Sequence, residues 1–184
     1  MGKNKFIVLI VFLFFVFAVV QKIYAASVAS GSSAQLEPIP PIKVGDSRVI
    51  VLREFLTKYH SPLANLASIF VENADKYNLD WRLVAAISGL ESTFGQQIPY
   101  NSYNGWGWGI YGDNIIRFST WEEGIQTVSQ GLREKYIDKL ETDDVYAIGR
   151  WYAASPTWAD RVSFIMEKIT QFQLGNPNSL SISI

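Results

Sequence analysis

The stretch "DWRLVAAISGLESTFG", residues 80–95, decides the fold because it predicts a short amphipathic helix with one charged residue on its apolar side. Stepping by four places Leu83, Ile87 and Glu91 on a single stripe, which should face a hydrophobic core. Asp80 supplies an N-cap for this helix. Glu91 is therefore expected to be partly desolvated and close to the negative end of the helix dipole, and both conditions favour the protonated carboxylic acid.

A carboxylic acid that is still protonated near neutral pH suits glycosidic bond cleavage. The leaving alcohol departs poorly unless its oxygen is protonated as the bond breaks. The spacing alone leaves two other interpretations of Glu91 open: exposure at a fraying helix end, or pairing with an arginine such as Arg150. Glu91 is thus a candidate catalytic acid on this pattern, and the residues that follow it favour that interpretation.

Aromatic residues crowd the segment after Glu91, where eight lie within 28 residues among Gly, Asn and Gln. They are Phe94, Tyr100, Tyr103, Trp106, Trp108, Tyr111, Phe118 and Trp121. Ring faces stack on sugars, amides bond hydroxyl and acetamido groups, and glycine lets the backbone approach a ligand. We therefore expect an irregular or β-hairpin insert between Gln96 and Phe118 that forms a saccharide cleft, with Phe94, Phe118 and Trp121 closing the core.

The rest of the chain is predicted to be mainly α-helical around this insert. Helix signals begin at Asp46, Ser61 and Thr120, and the predicted helices cover residues 47–59, 63–77, 81–94, 121–140, 143–155 and 157–174. Thr120 and Glu123 also have the spacing of a capping box, with Glu122 and Glu123 in the first helical turn. The folded domain should extend from residue 46 to 174, with residues 175–184 as a disordered tail.

The N-terminal region predicts an exported protein. Fifteen consecutive apolar residues, 6–20, follow Lys3 and Lys5, which is the order of a signal peptide. Residues 1–26 are therefore predicted to be a signal peptide or, if uncleaved, a membrane anchor that uses residues 6–20. Residues 27–45 are rich in Ser, Ala and Pro and are predicted to be a flexible linker.

Composition excludes several classes of function. Beyond residue 26 the chain carries 13 basic and 17 acidic side chains, a net charge of −4, so we expect no nucleic acid partner. There is no cysteine, which excludes disulfides and thiol nucleophiles, and the one histidine, His60, is expected to be a turn residue. No carboxylate cluster has a metal-ligand spacing, so neither a metal nor a cofactor is expected.

Three motifs together resemble the lysozyme-like lytic transglycosylases, the superfamily of soluble lytic transglycosylases and goose-type lysozymes. "LDWRLVAAISGLESTFG" resembles the catalytic helix of that family, "NSYNGWGWGIYG" lies where it has a Gly-rich cleft motif, and "WYAASPTWADRV" resembles its C-terminal Tyr segment. The resemblance covers roughly residues 61–169. This chain has "NGWGWG" where the family commonly has "GAxGLMQ", and "YAAS" where it commonly has "YNAG". The resemblance implies a lysozyme-like α-helical domain.

The resemblance also implies roles for individual residues. Glu91 would be the general acid/base, Ser92 its supporting neighbour and Tyr152 the cleft tyrosine. Together with the aromatic pattern, it assigns substrate binding to Ser92, Asn104, Gly105, Trp106, Gly107, Trp108, Tyr111 and Tyr152. The implied partner is the glycan strand of peptidoglycan, and we expect the protein to act as a monomer.

The number of available carboxylates indicates the mechanism, because hydrolytic glycosidases usually need two. Asp113 is a possible second carboxylate, although its "YGDN" context is also that of a turn, and Glu122 and Glu123 suit a helix start. A lytic transglycosylase needs Glu91 alone. As the resemblance implies, Glu91 would protonate the β-1,4 bond between MurNAc and GlcNAc and then accept the proton of the muramyl C6 hydroxyl, giving a 1,6-anhydromuramyl end.

Two alternatives remain open from the sequence. One is a hydrolase of the same glycan, a muramidase or an N-acetylglucosaminidase, that uses Asp113 as its second carboxylate. The other is a non-catalytic module that binds the cell wall without cutting it.

Overall fold

Helices joined by tight turns and one irregular insert make up the computed structural model, which describes residues 45–109 and 114–176. The helices are α1 (Ser47–Lys58), α2 (Ala67–Lys76), α3 (Leu83–Ser92), α4 (Trp121–Gly131), α5 (Val145–Tyr152) and α6 (Trp158–Gly175). A 3-10 turn, Ala64–Leu66, precedes α2. The prediction of a mainly α-helical fold is confirmed. The predicted signal or anchor, residues 1–26, and nearly all of the predicted linker lie outside the described residues.

The predicted caps lie at or near the helix starts. Asp46 Oδ1 accepts the backbone N–H of Arg48 at 2.9 Å at the start of α1. Thr120 Oγ1 accepts the N–H of Glu123 at 3.2 Å, as the capping-box spacing predicted, whereas Glu123 Oε2 accepts the N–H of Ser119 at 2.6 Å, one residue before the N-cap. Asp80 accepts the N–H of Arg82 at 2.9 Å, although regular helix begins only at Leu83.

α3 lies inside the fold and packs most extensively against α6, with further contacts to α2 and α4. Its first five residues, from Leu83 to Ile87, are all buried. The helix is therefore surrounded by apolar side chains on every side at its start, rather than along one stripe as predicted. Burial on all sides fixes the direction of α3 and with it the position of its last turn, which carries Glu91.

The chain reverses sharply after α3. Thr93, Phe94 and Gly95 all have positive φ values, 53°, 57° and 83°, so α3 ends at Ser92, two residues earlier than predicted. Only glycine adopts this conformation without cost, and hydrogen bonds hold Phe94 in it. Ser61 Oγ donates to the carbonyl of Phe94 at 2.8 Å, and the Phe94 N–H donates to the carbonyl of Ser88 at 3.0 Å.

The insert is irregular in its described parts, residues 96–109 and 114–118, where no β-strand forms; the predicted β-hairpin alternative is not seen there. The side chain of Asn104 organises it. Nδ2 donates to the carbonyls of Trp108 at 2.8 Å and Ile116 at 2.9 Å, and Oδ1 accepts the N–H of Trp108 at 3.0 Å. Phe118 is buried as predicted, while Trp121 is only half-buried.

A π-helical segment, Leu132–Ile137, extends α4 and ends in a short helical turn, Asp138–Leu140. The predicted single helix over residues 121–140 is thus interrupted. Leu132 and Ile137 at its two ends are both buried. The wider turn brings Tyr136 towards the aromatic side chains of the insert.

Among the described residues, no helix combines the length and the apolar character that crossing a membrane requires. The apolar run of residues 6–20 is not among them. His60 lies in the turn after α1, with a φ of 53°, as predicted.

Candidate active site

Glu91 lies in the last turn of α3 with an exposed side chain. The expectation of partial burial is wrong, because α3 ends one residue later and the chain turns away, leaving the carboxylate at the surface. Within residues 45–109 and 114–176, no lysine or arginine lies at ion-pair distance from it. The alternative of a pairing with Arg150 is therefore also wrong, and the Glu91 carboxylate is open to a ligand.

Trp158, the first residue of α6, holds one oxygen of this carboxylate. Its indole Nε1–H donates to Glu91 Oε1 at 2.8 Å, and its side chain is only 3% exposed. Gly149 on α5 gives the indole room, because a Cβ there would lie 2.9 Å from the Trp158 ring. The sequence analysis missed Trp158; the one available signal was its place in the motif "WYAASPTWADRV", six residues after Tyr152.

Tyr152, the last residue of α5, stacks on the Trp158 indole with ring centroids 4.7 Å apart and an interplanar angle of 26°. Its hydroxyl donates to the carbonyl of Trp106 at 2.8 Å. Burial raises the pKa of Tyr152 well above its ordinary value, and the nearby Glu91 and Tyr136 raise it further. Tyr152 therefore remains a neutral hydroxyl donor at physiological pH and ties α5 to the Gly-rich part of the insert.

Tyr136 is a second residue that the sequence analysis missed. Its ring packs against Trp108 at 6.2 Å and against Tyr152 at 5.8 Å between centroids. It lies within the π-helical segment, so no regular helical periodicity could have predicted that it reaches the site. Trp108, Tyr136, Tyr152 and Trp158 thus form one aromatic cluster, which lies beside Glu91.

Gly107 lies on the other side of Glu91. It is exposed, has a φ of +63°, and a Cβ at this position would lie 3.4 Å from Glu91 Oε2. Glycine is required here for the backbone conformation, and its lack of a side chain leaves space beside Oε2. The two carboxylate oxygens therefore differ: Trp158 bonds Oε1, whereas Oε2 faces the exposed Gly107 backbone.

Ser92 joins the end of α3 to the insert. Its hydroxyl accepts the N–H of Gly95 at 2.8 Å and lies 3.0 Å from the carbonyl of Ser88 and 2.8 Å from that of Gly105. Gly105 fits closely there, since a Cβ on it would lie 3.1 Å from Ser92 Oγ. These bonds fix the loop that carries Gly107 relative to the turn that carries Glu91.

Several residues predicted to bind substrate are buried. Relative exposures are 3% for Ser92, 2% for Asn104, 0% for Trp106 and 8% for Trp108, and Gly105 is also buried. Trp106 donates its indole N–H to the carbonyl of Val84 at 2.9 Å, inside the core. Burial places these five residues against the core and each other, and substrate binding by them stays a prediction. Of the other predicted residues, Glu91, Gly107 and Tyr152 come together at one place, while Tyr111 and Asp113 lie outside the described residues.

Comparison with known proteins identifies the fold. No protein-family model matches the chain, and no curated protein matches it in sequence. Two solved structures of autolysin E from Staphylococcus aureus are similar at 16% identity, each covering 69% of this chain and 68% of the other. One is a catalytic mutant with a glutamate replaced by alanine, in complex with the disaccharide NAG-NAM, with a TM-score of 0.59; the other is in complex with the muropeptide NAM-L-Ala-D-iGlu, with a TM-score of 0.53. The chain therefore has a lysozyme-like helical fold.

If the site cleaves a glycan, as proposed below, replacing Gly107 with alanine is expected to lower kcat/KM by between about tenfold and a hundredfold, because the new Cβ occupies the space beside Glu91 Oε2. Steady-state kinetics on soluble glycan strands measures this. Gly45→Ala is the matched control, since Gly45 also has a positive φ, +108°, but a Cβ there meets nothing within 4 Å. Equal losses of activity in both variants would attribute the effect to backbone strain and not to the site.

Proposed function

We propose that this protein cleaves the glycan strands of peptidoglycan with Glu91 as general acid/base. The observation that supports the proposal most is that the two oxygens of the exposed Glu91 carboxylate have different surroundings. Oε1 accepts the Trp158 N–H, and Oε2 faces Gly107. A positioned acid with one free oxygen beside open backbone is what protonation of a glycosidic oxygen requires.

The fold comparison supports the choice of substrate. Autolysin E carries a disaccharide of peptidoglycan in one structure and a muropeptide in the other, and replacement of a glutamate made the first of them a catalytic mutant. We extend the substrate class and the use of a glutamate to this chain as a proposal, with Glu91 in that role.

We further propose the lytic transglycosylase reaction at the MurNAc-GlcNAc bond. Glu91 protonates the glycosidic oxygen as the bond breaks, and its carboxylate then takes the proton of the muramyl C6 hydroxyl, which attacks C1 and closes the 1,6-anhydro ring. This reaction needs no second carboxylate. In the described part of the chain, Glu123 is engaged in capping α4, which supports a reaction by Glu91 alone.

The proposed site also accounts for Tyr152 and Ser92. The Tyr152 hydroxyl donates to the carbonyl of Trp106, and the Ser92 hydroxyl donates to the carbonyl of Gly105. These bonds fix the two residues that precede Gly107. The substrate would contact Gly107, Tyr152 and, in the part outside the described residues, Tyr111. Ser92, Asn104 and Trp106 would keep this surface rigid.

We propose that the protein acts outside the cytoplasm. Residues 1–26 would be a signal peptide or a membrane anchor through residues 6–20, residues 27–45 a linker, and residues 46–174 a catalytic domain that acts as a monomer. This arrangement would bring the site to peptidoglycan.

Incubation of the purified protein with insoluble peptidoglycan tests the proposal. Release of soluble glycan fragments, detected by chromatography, is expected. Co-sedimentation with the wall and no released fragments would instead favour a non-catalytic binding module, and neither binding nor release would contradict both.

Asp113→Asn separates the transglycosylase from a hydrolase. We expect a rate within about a factor of three of wild type, because the internal C6 hydroxyl needs no second carboxylate. Release of soluble fragments by both proteins, followed over time, provides the measurement. A loss of about a thousandfold, with ordinary reducing ends from the wild type, would establish Asp113 as the second carboxylate of a hydrolase.

A further inference from the structure

We propose that Trp158 is a positioning residue that directs the catalytic proton to Oε2 of Glu91. This inference rests on the proposed function and adds a residue that the sequence motifs did not assign. It concerns which of two chemically equivalent oxygens carries the proton, and therefore which one must face the glycosidic bond.

The hydrogen bond itself makes the oxygens different. A protonated carboxyl group has one carbonyl oxygen, which accepts hydrogen bonds, and one hydroxyl oxygen, which donates. The Trp158 Nε1–H is only a donor, and it lies 2.8 Å from Oε1. Oε1 therefore takes the carbonyl role, and the proton resides on Oε2.

Trp158 is held too firmly to release this bond easily. Its side chain is almost fully buried and stacks on Tyr152, and Gly149 lies close to the indole, with no room for a Cβ between them. It is also the first residue of the 18-residue helix α6, which packs on α3 itself. The donor and the acceptor thus sit on two helices fixed to each other.

Oε2 points to where substrate can enter. Gly107 lies beside it, is exposed and carries no side chain, and a Cβ there would lie 3.4 Å from Oε2. The loop is held by the bonds from Tyr152 and Ser92 described above. A glycosidic oxygen that enters over Gly107 therefore meets the hydroxyl side of the carboxyl group.

Few other groups in the described part of the chain compete for the Glu91 proton. Glu91 is the only ionisable residue of α3, Tyr152 faces it from α5, and Tyr136 of the π-helical segment adjoins Tyr152. Tyr152 remains neutral, because its pKa is raised well above its ordinary value. Trp158 is thus the side-chain donor that bonds the carboxylate there.

The test replaces only the indole N–H. Incorporation of β-(3-benzothienyl)alanine at position 158 of the full chain keeps the ring size but puts sulfur in place of N–H. We expect kcat to fall by about tenfold with KM unchanged, because the proton of Glu91 is no longer directed to Oε2. The same replacement at Trp151, which is 72% exposed, is the control.

A readout that needs no activity makes the inference independent of substrate. In the ¹⁵N-labelled full chain, Glu91→Ala should move the Trp158 indole N–H resonance, because the N–H loses its acceptor, whereas Glu54→Ala should leave that resonance in place. An unmoved Trp158 resonance in Glu91→Ala, or wild-type kcat in the sulfur variant, overturns the inference. A moved resonance in a protein that cleaves no peptidoglycan overturns the proposed function and leaves the Trp158–Glu91 interaction in place.

Discussion

Replacement of Glu91 with glutamine is expected to reduce the rate of peptidoglycan cleavage by about a thousandfold, the typical scale of general acid–base catalysis. Glutamine has nearly the same shape, and its amide oxygen still accepts the Trp158 N–H, but it has no acidic proton to give. Because the side chain is exposed, the free energy of unfolding should change by less than about 0.5 kcal/mol. The loss is thus expected in catalysis and not in folding.

Release of dye-labelled fragments from peptidoglycan, together with thermal unfolding, measures both quantities. Glu54→Gln serves as the control, since Glu54 is an exposed glutamate of α1 and its removal should leave the rate unchanged. A Glu91→Gln variant with wild-type activity would remove Glu91 from the mechanism. An inactive variant that also unfolds early would show that the side chain supports the fold.

Trp106→Ala is expected to cost about 3–5 kcal/mol of unfolding free energy, the usual range for a large buried aromatic side chain. Trp106 is completely buried, and its indole N–H satisfies the carbonyl of Val84 in α3. Its ring also packs at 6.4 Å from Phe70 and 6.1 Å from Trp121 between centroids. Removing it leaves a cavity in the core and takes away the bond that ties the insert to α3.

Urea unfolding monitored by circular dichroism measures this cost. Trp151→Ala is the matched control, because Trp151 is largely exposed and its loss should change stability by about 0.5 kcal/mol or less. A stable Trp106→Ala protein that had lost glycan binding would restore the substrate-binding role that burial argues against. The two outcomes separate a structural tryptophan from a ligand-binding one.

Local sequence signals were sufficient for helix starts such as those at Asp46 and Thr120, and for selecting Glu91 as a candidate. Asp46 and Thr120 accept backbone N–H groups as their positions predicted, because capping depends on residues two or three apart. Glu91 could be found for a similar reason: a carboxylate at an apolar helical position stands out against its own neighbours. The exposure of that carboxylate agrees with the alternative of an exposed helix end and not with the expected desolvation, since it depends on where α3 ends.

The surroundings of Glu91 depend on contacts between distant parts of the chain. Trp158 meets Glu91 across 67 residues, and Tyr152 meets the carbonyl of Trp106 across 46. Neither pairing produces a periodic pattern in the sequence, so neither could be predicted from it. The left-handed conformation of Phe94 was equally hidden, because a bulky residue adopts it only when tertiary bonds such as that from Ser61 hold it.

The same separation explains why the roles of the aromatic segment stay ambiguous in the sequence. Aromatic rings beside glycine are consistent both with sugar binding and with a close-packed core, and composition does not distinguish the two. Trp106 and Trp108 are buried, whereas Tyr100 and Tyr103 are exposed at 84% and 39%. Burial, rather than residue type, decides which rings are available to a glycan.

The mass of the fragment ends released from purified peptidoglycan tests the central claim most directly. The wild-type protein should release fragments whose muramyl ends are lighter by one water than the reducing sugar, and Glu91→Gln should release none. Such ends require protonation by Glu91 followed by attack of the C6 hydroxyl. Anhydro ends released equally by the Glu91→Gln variant, or no fragments from the wild type, would contradict the account.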